Sequence, residues 1–518
     1  MIMDNGSKRE ILRYGRLTAP HAECKCEFSL PDYLGDVRKV LLTDAHARGA
    51  GRFADGEGAE FPGIVVFDVV YLDSDGEICS VSFNGDYDMR VKNPSENGVE
   101  LFVDPEIDSY SIRLPGPRKI SAKAVLSGRT YVTESVQYTA DGTAFAEGAS
   151  PEMRTEEITV EGMRRSPVME REYGETLIHL DGAMVDEVKV MYPRAQIRLD
   201  SVTATDEGAL VKGEIRMTAI VKNGDEPAFC VTRSVPLEQT VPCDLTDGSE
   251  LVGGATVTSV SYAVNADDTG SEVVLSVISE LFVDEFYNQK TDVVVDAYMT
   301  ECVTENIYED VESVRFNGVI RERFGCQGEI SRMELDASNL REVVCMCSSV
   351  KVDGSECVAD QLKIDGTVQF FGICSTTLDN GEVSYIGVKT EASFTKNVNI
   401  NCQNPLKMTY DLYASTNCTS GVIDADKVYA TCDVTVEVRV AETGNLRALC
   451  TCNARADLPF AKDGSVVTVY YPAKGESLFS IAKRFHTTVS ALAEMNSLAE
   501  TVMTGDSDVL AENKILIY

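Results

Sequence analysis

The sequence predicts a mostly β protein: three tandem β-rich domains of about 150 residues each, followed by a small βααβ module. Three observations carry this. Period-two alternation of apolar and polar residues dominates before residue 460, one hairpin pattern recurs three times at near-constant spacing, and helical periodicity concentrates in the last fifty or so residues.

The alternation is clearest at Val211, Gly213, Ile215, Met217, Ala219 and Val221, and again in TCDVTVEVRV from Thr431 to Val440. Strands of this kind bury one face and wet the other. Between them stand turn dipeptides, Asp75-Gly76, Asn223-Gly224 and Asn380-Gly381, each flanked by β-branched and aromatic residues. The surroundings of these turns repeat. PGIVVFDVVYLDSDGEICSV starts at Pro62, KGEIRMTAIVKNGDEPAFCV at Lys212 and DGTVQFFGICSTTLDNGEVSYI at Asp365. In each, a glycine (Gly63, Gly213, Gly366) is expected to open a strand that turns and returns as a hairpin. The first two glycines are 150 residues apart and the second two 153.

The upstream flank repeats as well, as Asp36–Val40, Asp186–Val190 and Leu340–Val344. A period this long is a domain rather than a solenoid unit. Expected domains are therefore 1–150, 151–305, 306–462 and a terminal module at 463–518. The breaks fall near Gly148–Pro151, Glu301–Asp310 and Leu458–Gly464.

Composition narrows the function. A chain of 518 residues is too long for one core. Its 44% hydrophobic and 25% charged residues suit globular domains. The net charge of −36 is spread along the chain and repels nucleic acid and anionic headgroups. No nucleic-acid partner is expected. Apolar runs such as Ile64–Phe67 are broken within a few residues, far short of the roughly twenty that span a bilayer, so no integral membrane segment is expected. The opening MIMDNGSKREILRYGRL lacks the apolar centre of a signal peptide, which makes a cytoplasmic location the expectation.

Sixteen cysteines include three Cys-x-Cys pairs, Cys24/Cys26, Cys345/Cys347 and Cys450/Cys452. They read first as small buried hydrophobes. A zinc site lacks ligands at usable spacing, since His21, His46, His179 and His486 are the only histidines. Oxidative cross-linking within an assembly has only the cysteine count behind it. No GxSxG, HExxH or Walker loop is present. Acid pairs such as Asp267-Asp268 and Glu156-Glu157 suit a solvated face. A non-enzyme without cofactor or metal is expected.

In the terminal module, Val466–Tyr471 is a β-type run, and Pro472–Ser477 form a loop. Leu478, Ile481, Ala482 and Phe485 then mark one helix face, with Ser477 placed to cap it and Lys483-Arg484 suited to its C-terminal dipole. A second helix follows Thr487-Thr488, with Val489, Leu492, Ala493 and Met495 on or near its inner face, and ends at Asn496. Lys514–Tyr518 is a closing strand. The module resembles LysM domains, with Gly475-Glu476-Ser477-Leu478 at their usual Gly-Asp-Thr/Ser-Leu and Asn496-Ser497-Leu498 at Asn-x-Leu. The resemblance implies a shallow groove for N-acetylglucosamine-containing glycans. Gly475, Glu476, Ser477, Leu478 and Phe479 would form one wall, and Met495, Asn496, Ser497 and Leu498 the other. Leu478 and Phe479 fit core filling as well as the rim. Two departures alter one wall: a long acidic loop from Ala499 to Asn513, and Tyr518 in place of the usual closing proline. Both suit a protein ligand.

The body resembles the SPOCS-domain (DUF3794) proteins of spore-forming Firmicutes, whose SipL-like members pair tandem β-domains with a C-terminal LysM. The carrying fragments are Tyr262–Val283, VDAYMTECV from Val295 to Val303, Asp108–Ser111 and Asp411–Ser415. That resemblance implies a scaffold in endospore coat or envelope assembly. Its LysM would dock a SpoIVA-like coat-basement ATPase on the mother-cell side of the forespore surface. The alternative is a peptidoglycan anchor acting through the same groove.

Overall fold

The computed structural model describes residues 8–16, 19–49, 51–55, 58–92, 98–139, 151–331, 335, 339–400, 407–424, 427–461, 467–498 and 514–517. Strands account for 79% of the structure, and both helices lie near the C-terminus, so the fold is mostly β and ends in a small βααβ module. Among the described residues, no helix is long and apolar enough to cross a membrane.

The body repeats one connectivity three times. The first unit runs β1 (Lys8–Arg16), β2 (His21–Ser29), β3 (Val37–Gly49), β4 (Phe53–Asp55), β5 (Gly58–Asp73), β6 (Ile78–Lys92), β7 (Gly98–Gly116) and β8 (Lys119–Thr139). The second runs β9 (Glu152–Arg165), β10 (Met169–Asp181), β11 (Val188–Thr205), β12 (Gly208–Asn223), β13 (Phe229–Val241), β14 (Glu250–Ala266) and β15 (Gly270–Tyr298). The third runs β16 (Cys302–Ser331), β17 (Leu340–Val358), β18 (Gln361–Thr377), β19 (Val383–Asn399), β20 (Met408–Asp424) and β21 (Lys427–Pro459).

In every unit a three-stranded antiparallel meander (β3-β5-β6, β11-β12-β13, β17-β18-β19) is inserted between the opening and closing strands of a second sheet. The long closing strand is the axis of that sheet. β8 pairs β2 and then β1, β15 pairs β10 and then β9, and β21 pairs β16 throughout. The opening strand is interrupted at a corresponding place each time, at Pro20, at Ser166-Pro167, and by a bulge before Gly318. Proline has no N–H for the ladder, and Gly318 takes a φ of +138° that few side chains tolerate. The boundary expected at 305/306 falls inside β16, which starts at Cys302 and touches β9 in parallel at Val314 and Val160. The second and third units thus share one seven-stranded sheet.

The repeat glycines do not open strands. Each lies in mid-strand, five residues after the start of β5, β12 or β18. A Cβ on Gly63 would collide with the Tyr87 ring and the Arg48 carbonyl, one on Gly213 with the Arg198 carbonyl, and one on Gly366 with the Phe394 ring and the Lys351 carbonyl. Close approach of the neighbouring strand, not strand initiation, requires the glycine. The turn glycines Gly76, Gly224 and Gly381 have φ of 88°, 52° and 87°, the left-handed region that glycine enters freely. Gly76 and Gly381 each end a four-residue turn, their amides donating to the Asp73 and Leu378 carbonyls.

Each unit buries its own core between meander and sheet. Phe67 packs with Leu126 in the first, Met217 with Leu275 in the second, and Phe370 with Val436 in the third. The three meanders then meet in a ring: β6 lies beside β11, β13 beside β17, and β19 beside β3. At the centre a shared cluster takes corresponding residues from all three units. Val70, Ile220 and Ile373, each seven residues past its repeat glycine, pack there with Leu41, Tyr192 and Val344. Those last three stand at register shifts in β3, β11 and β17. A bulge re-aims a side chain, and here it turns one from each unit toward the common centre.

A polar cluster adjoins this centre and also draws on all three units. Arg194 lies 2.8 Å from Asp44, donates to the Tyr192 hydroxyl at 2.6 Å and reaches the Cys347 sulfur at 3.3 Å. The Tyr192 hydroxyl donates to Asp44 at 3.0 Å. Burial opposes the Arg194 charge, but the Asp44 carboxylate outweighs it and the guanidinium stays protonated.

Candidate functional site

The terminal module is built from β22 (Thr468–Tyr470), α1 (Leu478–Arg484), α2 (Val489–Met495) and β23 (Ile515–Ile517), with β22 and β23 antiparallel. Both helices are short, and both are capped by a hydroxyl. Ser477 Oγ accepts from the Ser480 amide at 3.2 Å, and Thr488 Oγ1 accepts from the Ala491 amide at 3.1 Å. Their inner faces form one core, in which Leu478, Ile481, Ala482, Leu492, Ala493, Ile515 and Ile517 are buried.

The nine groove residues occupy distinct roles. Gly475 is exposed at φ +82° in the turn before α1, with open space where a Cβ would stand. Glu476 is committed inward: it accepts from the Tyr470 hydroxyl at 2.8 Å and the Ala473 amide at 3.0 Å, and pairs with Arg484 at 2.7 Å. Burial pushes its carboxyl up, but these donors prevail and hold it below the ordinary range. Ser477 is the cap. Leu478 is core, and Phe479 is 8% exposed and faces the body.

On the other wall, Asn496 clamps α2 to β23. Its Nδ2 donates to the Leu492 and Leu516 carbonyls, both at 2.8 Å, and its Oδ1 accepts from the Leu516 amide at 2.6 Å. Ser497 is exposed at φ +50°, Met495 is half-buried, and Leu498 packs on the core. What the two loops offer outward is therefore mostly backbone around Gly475 and Ser497, held in place by Glu476 and Asn496. The acidic loop from Ala499 to Asn513 and Tyr518 lie outside the described residues.

The module is seated on the body through α1, including Phe479, and the turn between the helices. Tyr298 of β15 packs edge-on against Phe479 at 5.1 Å between centroids and donates its hydroxyl to the Thr487 carbonyl at 2.7 Å. Lys483 reaches Asp296, and the Val489 amide donates to Glu152 of β9 at 3.2 Å. Phe460 stacks on His486. Asp296 is itself fixed by Tyr308 at 3.0 Å and Asn306 at 3.3 Å. Sequence reasoning did not find these anchors as a docking set, although Asp296 and Tyr298 form the Asp-x-Tyr of the VDAYMTECV segment it singled out.

No curated protein and no solved structure matches the chain. The LysM domain family matches residues 473–502, which span the first loop, both helices and the second loop, so the chain ends in a LysM domain.

Proposed function

We propose that this chain is a non-enzymatic recognition scaffold, in which a rigid three-unit β body presents a LysM domain in one orientation. The carrying observation is that the module is seated through α1 and the turn between its helices, while the loops around Gly475 and Ser497 stay exposed. The exposed backbone around Gly475 suits the acetamido group of an N-acetylglucosamine glycan, and Met495 suits a sugar face. Across from it the Ser497 and Leu498 amides are already bonded to the Glu494 and Ala493 carbonyls. Peptidoglycan binding or anchoring is the activity that the LysM match supports.

A second reading is favoured by the resemblance of the body to SPOCS-domain proteins. There the same LysM docks a SpoIVA-like coat-basement ATPase during endospore coat assembly, in the mother-cell cytoplasm at the forespore surface. The three units would supply its self-association surfaces.

Co-sedimentation of the full chain with purified peptidoglycan tests the first reading. Retention that soluble N-acetylglucosamine oligomers compete away supports it; absence of retention overturns it. Capture of a coat-basement ATPase by the same chain, insensitive to those oligomers, would establish the second.

A further inference from the structure

We propose that Cys326 and Cys432 form a modification site, a cross-strand dithiol in the third unit that a small organic disulfide oxidises to an intramolecular disulfide.

The two residues are direct partners in the β16–β21 register. Opposed residues of an antiparallel pair project from the same face, with Cα atoms about 4.5 or 5.5 Å apart depending on the type of pair. Both values lie inside the roughly 4.4–6.8 Å that a disulfide spans. Their surroundings agree: Cys432 is 4% exposed within the core of the third unit, and Cys326 packs against that same core from a partly exposed position.

The other described cysteines are placed differently. In each Cys-x-Cys pair the two residues lie along one strand with Cα atoms about 6.7 Å apart, at the outer edge of the disulfide range. The Cys24 and Cys26 thiols are hydrogen-bonded neighbours along β2 rather than partners across a ladder. Across the ladder Cys24 faces Ala124, Cys345 faces Ile373, Cys374 faces Ile386 and Cys452 faces Asn306. The exposed Cys418 sits in a bulge of β20, beside Arg198 at 3.7 Å.

The chemistry is thiol–disulfide exchange. The Cys326 thiolate attacks one sulfur of the oxidant, forming a mixed disulfide and releasing one thiolate. The Cys432 thiolate then attacks the Cys326 sulfur and releases the second. Two protein S–H bonds and one oxidant S–S bond are lost. One protein S–S bond forms, and the two protons end on the two released thiols. Burial raises both thiols, Cys432 to about 11, so the reaction is slow at neutral pH and accelerates as the medium becomes alkaline. The link would join β16 to β21 and close the segment that carries β17 to β20, constraining the unfolded state of the third unit.

The test uses the full chain carrying Cys418→Ser, which removes the exposed competing thiol. It is incubated with oxidised glutathione, alkylated, digested without reduction and mapped by mass spectrometry. A Cys326–Cys432 linked peptide is expected, together with a rise of several degrees in Tm that dithiothreitol reverses. Cys326→Ser should abolish both, and Cys432→Ala, which keeps an apolar side chain in the core, should do the same. Recovery of Cys326 and Cys432 as separately alkylated or separately glutathionylated peptides would overturn the proposal.

Discussion

The Lys483 ammonium lies 2.7 Å from each carboxylate oxygen of Asp296, tying the first helix of the LysM domain to the long closing strand of the second unit. These residues are 187 positions apart. The contact makes the LysM domain part of the body's architecture rather than a tethered appendage.

Tyr298 should matter more to that seating than the ion pair. Its ring is 3% exposed and its hydroxyl is bonded, whereas Lys483 and Asp296 keep about a third and a quarter of their side-chain surface in water. Tyr298→Ala should weaken docking by about 3–5 kcal/mol, the range for truncating a buried aromatic, and Asp296→Asn by about 1 kcal/mol. Small-angle scattering and amide relaxation of the module should then report independent tumbling in the first variant only.

Arg194 holds the polar cluster at the centre of the ring. Arg194→Met would leave the Asp44 carboxylate, 6% exposed, without its cation. Destabilisation of about 3–5 kcal/mol is expected by chemical denaturation. Adding Asp44→Asn should recover part of it, because the stranded charge is then gone. A double-mutant cycle measures the coupling.

Asp68 gives the same region a pH dependence. Burial, and then the neighbouring Asp44 charge, raise its carboxyl to about 6, against the opposing effects of Ser82 and Arg194. A raised folded pKa means that the stabilisation is full below the unfolded value near 4 and is lost as pH climbs through 6. The cost above that window is at most about 3 kcal/mol. His46, whose Nδ1 lies 3.9 Å from Asp68, has the opposite sign. Partial burial lowers its pKa, so its contribution is full above the ordinary histidine value and is lost as pH falls through the folded one. Solvent screening keeps that contribution small, because the side chain is 48% exposed. Asp68→Asn should flatten stability between pH 4 and 6 and exceed the parent protein at pH 8, as read from denaturation midpoints across pH.

Asn496 is expected to act as a clamp. Asn496→Ala removes two hydrogen bonds to Leu516 of β23 and one to the Leu492 carbonyl of α2, which should cost the module roughly 2–3 kcal/mol. Faster hydrogen exchange at the Leu516 amide would register this. Exposed Ser497→Ala should leave that exchange unchanged.

Much of this was legible in the chain. Alternation around Asp75-Gly76, Asn223-Gly224 and Asn380-Gly381 reports the meanders directly, because the period of a strand and the φ of its turn are local properties. The LysM helices, the cap at Ser477 and the core position of Ile481 follow from spacing alone. The hub left a faint signal. Alternation gives way to continuous apolar runs at Val69–Leu72 and Ala219–Val221, where the strand is buried on both faces. That pattern says a second partner exists without naming it. The repeat glycines misled for a related reason: a glycine required by the Tyr87 or Phe394 ring looks, in sequence, like one that starts a strand.

By itself, then, the sequence determined the β character, the threefold repeat, its turns and the terminal LysM domain, since each rests on contacts between residues near in the chain. Tertiary structure alone decided that the three meanders close into a ring around Leu41, Tyr192 and Val344, and that Asp44, Arg194 and Cys347 converge. It also decided that Tyr298 and Asp296 seat the LysM domain, and that Cys326 faces Cys432. Those contacts join residues separated by roughly a hundred positions or more. They depend on strand register and on bulges that turn a side chain from one face to another, and neither is encoded in any short window of sequence.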